Sequence, residues 1–214
     1  MKTPRIPVAL EGTPFILFAA FTTLIAALLR QESAAIAALA VTAFALYFFR
    51  DPSRLVPDDE TAVVSPADGK IIVIEEVQDD RYLQARVQKV SIFMNIFDVH
   101  VNRCPFPGLV ERVVYEPGRF YSADSSRAAL ENETCAVVLA AAHGRRLAFV
   151  QMAGLIARRI VCWAEKGDAL TRGSRFGLIR FGSRVDLYLP LDLPLAVKLG
   201  QRVTAGVTVL GRFS

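Results

Sequence analysis

A mainly β domain carried behind an apolar N-terminal helical hairpin is the fold class that the sequence predicts, and three observations predict it. Hydrophobic residues make up 53% of the 214 positions and charged residues only 21%, an apolar balance that suggests a membrane component. The apolar excess sits before residue 50. From Asp51 onward charges return, and Pro and Gly punctuate short runs rich in Val, Ile and Phe, which is β texture. A chain of this length suits one full domain and a short accessory segment, and can bury a real core.

Gly12–Leu29 and Ser33–Phe49 carry no charges and are separated only by Arg30-Gln31-Glu32. Each is near the lower limit of roughly 17 residues for spanning a bilayer as a helix. So short a link forces the two helices antiparallel, and the flanking segments then emerge on one side. Lys2, Arg5, Arg50 and Arg54 lie on that side, whereas the link has only Arg30 balanced by Glu32. The positive-inside bias therefore places the following domain in the cytoplasm, at the membrane face. A cleaved secretory leader would also begin with Lys2 and Arg5 before an apolar run, but the second apolar segment argues against it. A buried hairpin in a soluble domain and a shallow re-entrant hairpin remain compatible with the composition. The expected division is 1–50 as a membrane-anchoring hairpin and 51–214 as the β domain.

Alternation and turn residues predict strands at Lys70–Val77, Arg86–Ile96, Val110–Glu116, Cys135–Ala141, Leu147–Met152, Arg159–Ala164, Gly177–Phe181, Arg184–Leu189 and Gln201–Thr204. A short helix is expected near Ser122–Leu130. Ser65-Pro-Ala-Asp-Gly-Lys70 and Val197–Gly206 share a design in which apolar residues alternate with glycine-centred turns. Such hairpins resemble those of barrel-sandwich hybrids, so the β domain is expected to be barrel-sandwich-like. No lysine in these turns has the setting of a carrier lysine, and that likeness speaks to fold alone.

The net charge of +4 suits an acidic partner. Arginines scattered among apolar residues give no stacking surface for nucleic acid, and an anionic membrane face fits better. Cys104, Cys135 and Cys162 are an odd count without a CxxC pair, which points to reduced thiols rather than a disulfide framework. Only His100 and Cys104 are close enough in sequence to begin a zinc site, so no metal is expected. Neither GxGxxG nor GxxxxGK[ST] occurs.

The chemistry centres on Leu178-Ile-Arg-Phe-Gly-Ser-Arg-Val-Asp-Leu-Tyr-Leu-Pro190, where Gly182-Ser183 interrupts what would otherwise be one continuous strand. A glycine weakens a strand, and its ordinary explanation is a bulge or tight bend. However, Arg180–Asp186 resembles the processing site of the short-chain phosphatidylserine decarboxylases, a pyruvoyl-dependent family. Phe48-Phe-Arg-Asp-Pro-Ser-Arg54, Ser65-Pro-Ala-Asp-Gly69, Phe97-Asp-Val-His-Val-Asn-Arg103 and Gln151–Ile160 resemble further blocks of that family, in its order and across nearly the whole chain.

The resemblance implies a proenzyme that cuts itself between Gly182 and Ser183. Ser183 Oγ would attack the Gly182 carbonyl, and elimination from the resulting ester would release Met1–Gly182. Hydrolysis of the dehydroalanine left at position 183 would give a covalent pyruvoyl cofactor. Glycine suits the scissile step because no Cβ obstructs attack. The pyruvoyl carbonyl would take the substrate amine as a Schiff base and act as electron sink while CO2 leaves, turning phosphatidylserine into phosphatidylethanolamine. The large chain 1–182 and small chain 183–214 are expected to stay together through shared sheets. A second Gly-Ser-Arg, Gly173–Arg175, lies between Arg172 and Arg175 and reads as a loop with no strand to hold a scissile bond.

His100 stands where the family's Asp-x-His block has a catalytic imidazole, with roles in self-cleavage and in returning a proton to the carbanion. Asp68 matches the aspartate that the family's long forms use in a Ser-His-Asp arrangement. Those forms carry a second histidine three residues after the first, whereas this chain has Arg103. Either His100 serves both steps or self-cleavage uses another base. Arg103, Arg158 and Arg159 are candidates for holding the substrate's phosphate or carboxylate, and ordinary strand-surface charge explains them equally. His143 reads as a solvated hairpin tip. Two other functions fit the same residues: a serine headgroup on a different lipid backbone, and a non-catalytic anchored β module.

Overall fold

The computed structural model describes residues 7–123, 125, 127–155, 159–180 and 183–213. Two compact units divide the chain, 1–53 and 54–214.

The first unit is a helical hairpin, α1 (Thr13–Leu28) and α2 (Glu32–Phe48), entered through a short 3-10 turn at Leu10–Gly12. Leu10–Leu28 is long and apolar enough to cross a membrane, and Glu32–Phe48 is a shorter apolar helix. Leu17, Phe18, Phe21, Leu24, Leu28, Ile36, Leu39 and Val41 are all exposed, so the hairpin presents large apolar side chains outward. Small residues let the helices approach. Ala19 and Thr42 are buried between them, and the Thr23 and Thr42 hydroxyls meet at 3.1 Å, a polar contact suited to helices in an apolar medium.

The second unit is mainly β, as expected. Thirteen strands occur among the described residues: β1 (Ala62–Val64), β2 (Gly69–Asp79), β3 (Ala85–Met94), β4 (Val101–Arg103), β5 (Gly108–Glu116), β6 (Thr134–Ala140), β7 (Arg146–Met152), β8 (Ile160–Cys162), β9 (Ala169–Leu170), β10 (Arg175–Ile179), β11 (Ser183–Leu189), β12 (Arg202–Val203) and β13 (Val209–Arg212). The only α-helix described after residue 53, α3 (Ala128–Glu131), is a single turn that overlaps the end of the stretch expected to be helical. Eight strands form one antiparallel sheet in the order β12-β2-β3-β11-β7-β6-β5-β9, curled into a half-barrel. A three-stranded sheet, β4-β10-β8, and a pair, β1-β13, complete the unit.

Alternation along the strands sorts the core. Val185, Leu187 and Leu189 of β11 pack with Val90, Ile92, Met94, Leu193 and Leu210. Phe149 and Phe176 meet edge to face at 4.6 Å and join the large sheet to the three-stranded one. On the other face of the large sheet, Tyr82 and Leu83 cover Ala148 and Val150 beside Tyr188. Full burial of each such side chain contributes roughly 1.5–3 kcal/mol.

The two stretches of similar design clasp each other. Gly206 donates its N–H to Ser65 O at 2.8 Å, Ser65 donates to Thr208 O at 2.8 Å, and the Ala205 N–H reaches Asp68 Oδ1 at 2.7 Å. Gly206 adopts φ +72°, which a side chain would strain, and an added Cβ would also stand 3.0 Å from Arg103 Cδ. All three cysteines are free thiols, Cys104 and Cys135 buried and Cys162 half-buried. Burial pushes the Cys104 thiol up to about 12. His143 is exposed in the turn between β6 and β7, as its sequence context implied.

Candidate active site

The sequence reads the Gly-Ser step as an interruption of one strand, but the structure shows a change of sheet. β10 pairs with β4 and β8, Ile179 lying opposite Ile160. Ser183, four residues on, already lies opposite Met94 of β3 in the large sheet. The passage from one ladder to the other therefore falls between Arg180 and Ser183. Gly182 and Arg158 lie outside the described residues, as does Phe181.

Ser183 is fully buried. Its Oγ lies 3.4 Å from Met94 Sδ, and a thioether is a weak acceptor, so the hydroxyl is not tied to a strong partner. Met94 also receives Asn102 Nδ2 at 3.7 Å, and Asn102 Oδ1 accepts from Gln151 Nε2 at 2.9 Å. Gln151 stands opposite Val185 and so shares the face of Ser183. Its Oε1 is buried with no hydrogen-bond partner among the described residues, a costly state outside a functional site. The Gln151 amide fits between the sheets because residue 177 is glycine: an added Cβ would stand 2.5 Å from Val161 O and 2.6 Å from Gln151 Nε2. Gly177→Ala is accordingly expected to destabilise the protein by about 1–3 kcal/mol, as overpacking does, measured as a drop of several degrees in Tm.

His100 is fully buried immediately before β4. Its backbone O accepts from Ile179 N at 3.3 Å, which places it at the Ser183 end of β10. Its Nδ1 is 2.9 Å from Asp98 O. A carbonyl can only accept, so the proton belongs on Nδ1 and Nε2 carries the basic lone pair. The loop before it is fixed by the Asp98 carboxylate, which accepts from Asn95 N–H at 2.9 Å and pairs with Arg202.

Asp68 and Arg103 belong to a second cluster around the Gly206 turn. Asp68 Oδ2 accepts from Arg54 at 2.8 Å while its Oδ1 holds the Ala205 N–H. Arg103 is buried, and its Nη1 donates to Gly173 O at 3.0 Å. Asp68 precedes Gly69, one step beyond the Lys70–Phe93 pair of β2 and β3, so it sits at the same end of the sheet as Ser183, two strand spacings or roughly 10 Å across. Arg103 lies opposite Arg175, at the far end of β10. Arg159 is exposed, and its O accepts from Arg180 N at 3.3 Å. Ser174 lies in a turn and donates its hydroxyl to Thr171 O at 2.6 Å.

Sequence reasoning missed Met94, Asn102, Gln151 and Gly177 as parts of the site. One signal was present: a carboxamide inside the apolar run Leu147-Ala-Phe-Val-Gln-Met152 is a buried polar group that asks for a purpose.

The phosphatidylserine decarboxylase family profile matches residues 41–211. Phosphatidylserine decarboxylase proenzymes from Desulfotalea psychrophila, Pelobacter propionicus and Geotalea uraniireducens are 57%, 52% and 47% identical to the chain, each alignment covering 99% of both sequences. Fold, buried serine and relatives together define the class, a self-processed lyase made as a proenzyme. The chain belongs to the phosphatidylserine decarboxylase family, whose members are carboxy-lyases with a serine-derived pyruvoyl group.

Proposed function

We propose that the chain cleaves itself between Gly182 and Ser183 and then decarboxylates phosphatidylserine from a position on the membrane. The observation that carries this reading is Ser183, fully buried where the chain changes sheets, its hydroxyl bonded among the described residues only to a thioether. Ser183 Oγ attacks the Gly182 carbonyl carbon, the C–N bond breaks, and the nitrogen takes the proton. Loss of an α-proton from Ser183 and departure of the Gly182 carboxylate leave dehydroalanine. Water then replaces the nitrogen with oxygen, and ammonia departs.

The residues present fit the resulting pyruvoyl group. It keeps the serine's footprint in a dry site, and Gln151 Oε1, an acceptor on the same face, suits the N–H of the incoming substrate amine. The group supplies an electrophilic carbonyl that takes the substrate amine and receives the electrons left by CO2. His100, with Nε2 as its basic nitrogen, takes the Ser183 proton and later returns one to the substrate carbon. Asp68 supports the site by fixing the 65–69 turn against Arg54 and Ala205. Arg103 and Arg158 are assigned to the substrate's anionic headgroup. Residues 1–50 anchor the protein, and 51–214 work on the cytoplasmic face. Chains 1–182 and 183–214 remain together because β11 pairs with both β3 and β7.

Intact-mass analysis of the purified protein tests the reading. A small chain starting at position 183 and lacking a free amine is expected. One starting at 174, or no cleavage under conditions that support turnover, would overturn it.

A further inference from the structure

Arg184 and Asp186 take no part in the chemistry above, yet only 3% and 1% of their surfaces are exposed. Side chains alternate along β11, so this pair lies on the face opposite Ser183. Arg184 forks onto Asp186, with Nη2 2.8 Å from Oδ2, and the same Nη2 reaches Ser91 Oγ at 2.9 Å. Lys89 Nζ stands 4.0 Å from Asp186 Oδ2. Ser91 and Lys89 belong to β3, opposite Asp186 and Tyr188, so the network ties β11 sideways to its neighbour.

Stability alone is a poor account of this network, because desolvating two charges commonly offsets their attraction. Its position suggests a different role. Residue 184 becomes the second residue of the small chain after cleavage, and cut chain ends fray unless tied down. Ser183 pairs only with Met94 on β3, while pairing with β7 begins at Arg184. The first residue of the new chain is thus held by a ladder on one side only, and the next residue carries the buried fork.

We infer that Arg184, Asp186 and Ser91 form a positioning clamp that holds the new N-terminal residue in register once the chain has been cut. This rests on Ser183 being the processed residue. The clamp acts through the backbone and leaves the reacting atoms to others. Before cleavage the covalent link to β10 does the same work, so the clamp matters only in the cut form.

Hydrogen exchange of the Val185–Leu187 amides tests this, in full-length protein and in the uncut Ser183→Ala background. Arg184→Lys keeps a charge but loses the fork, and Ser91→Ala removes the tie to β3 without stranding the ion pair. In the cut protein each is expected to speed exchange about tenfold, the loss of a hydrogen bond to a charged group, and to lower kcat with KM unchanged. In the Ser183→Ala background exchange should match that of Ser183→Ala alone. Equal acceleration in both backgrounds, or none in the cut protein, overturns the inference. Cleavage persisting in Ser183→Ala would instead overturn the choice of processed residue.

Discussion

Ser183→Ala is expected to yield a single uncut chain of 23.5 kDa with decarboxylation at background level. Without Oγ there is no nucleophile to exchange the 182–183 amide for an ester, and without cleavage there is no carbonyl to receive the substrate amine. Rate enhancements by enzymes are typically at least 10⁶-fold, so loss of the group that carries the chemistry removes activity to the limit of detection. The substitution itself is mild: among the described residues the hydroxyl bonds only Met94 Sδ, and an alanine there leaves no donor unsatisfied. The variant should therefore fold, with Tm within a degree or two of the uncut parent. Ser174→Ala is the matched control and should cleave normally, since the Ser174 hydroxyl donates to Thr171 O within its own turn. Two chains from Ser183→Ala, or one from Ser174→Ala, would reverse the assignment.

Much of this was legible in the sequence because its causes are local. Two uncharged runs separated by Arg30-Gln31-Glu32 predict a hairpin, and α1 and α2 fall within a residue of those runs. Alternation predicts the long strands, and each of the nine expected segments overlaps a strand. β1, β4, β9 and β13, of two to four residues, lie outside the expected segments, because so short a strand carries little periodicity of its own; β8 and β12, equally short, fall inside longer runs that read as strand. The site divides in the same way. Ser183 and His100 announced themselves through short motifs, but what surrounds them is non-local: Ser183 meets Met94 from 89 positions away, and Asn102 meets Gln151 from 49. The change of sheet after Arg180 is invisible in a run that alternates smoothly on both sides of Gly182. Asp68 shows the remaining limit. A turn aspartate in Pro-Ala-Asp-Gly could be read as a turn former or as a catalytic acid, and only the partners Arg54 and Ala205 say how its two oxygens are engaged.

The second large effect is expected at His100. General acid–base groups typically contribute 10²–10⁴-fold, and His100 is assigned to two proton transfers in succession. His100→Ala should therefore slow self-cleavage at least a hundredfold, measured as accumulation of the uncut chain over time. The asparagine variant separates chemistry from packing. A side-chain amide can still donate to Asp98 O, preserving the contact that Nδ1 makes at 2.9 Å, but it has no basic nitrogen at neutral pH. His100→Asn should keep the Tm of the parent while remaining uncut. If His100→Asn cuts slowly, the accumulated two-chain product isolates the second role, and kcat for phosphatidylserine should fall at least a hundredfold with KM little changed. A cut but inactive protein would confine His100 to the decarboxylation step and move the cleavage base elsewhere. Cleavage and kcat both within about threefold of the parent would remove His100 from the chemistry altogether, since a positioned acid–base group contributes far more than that.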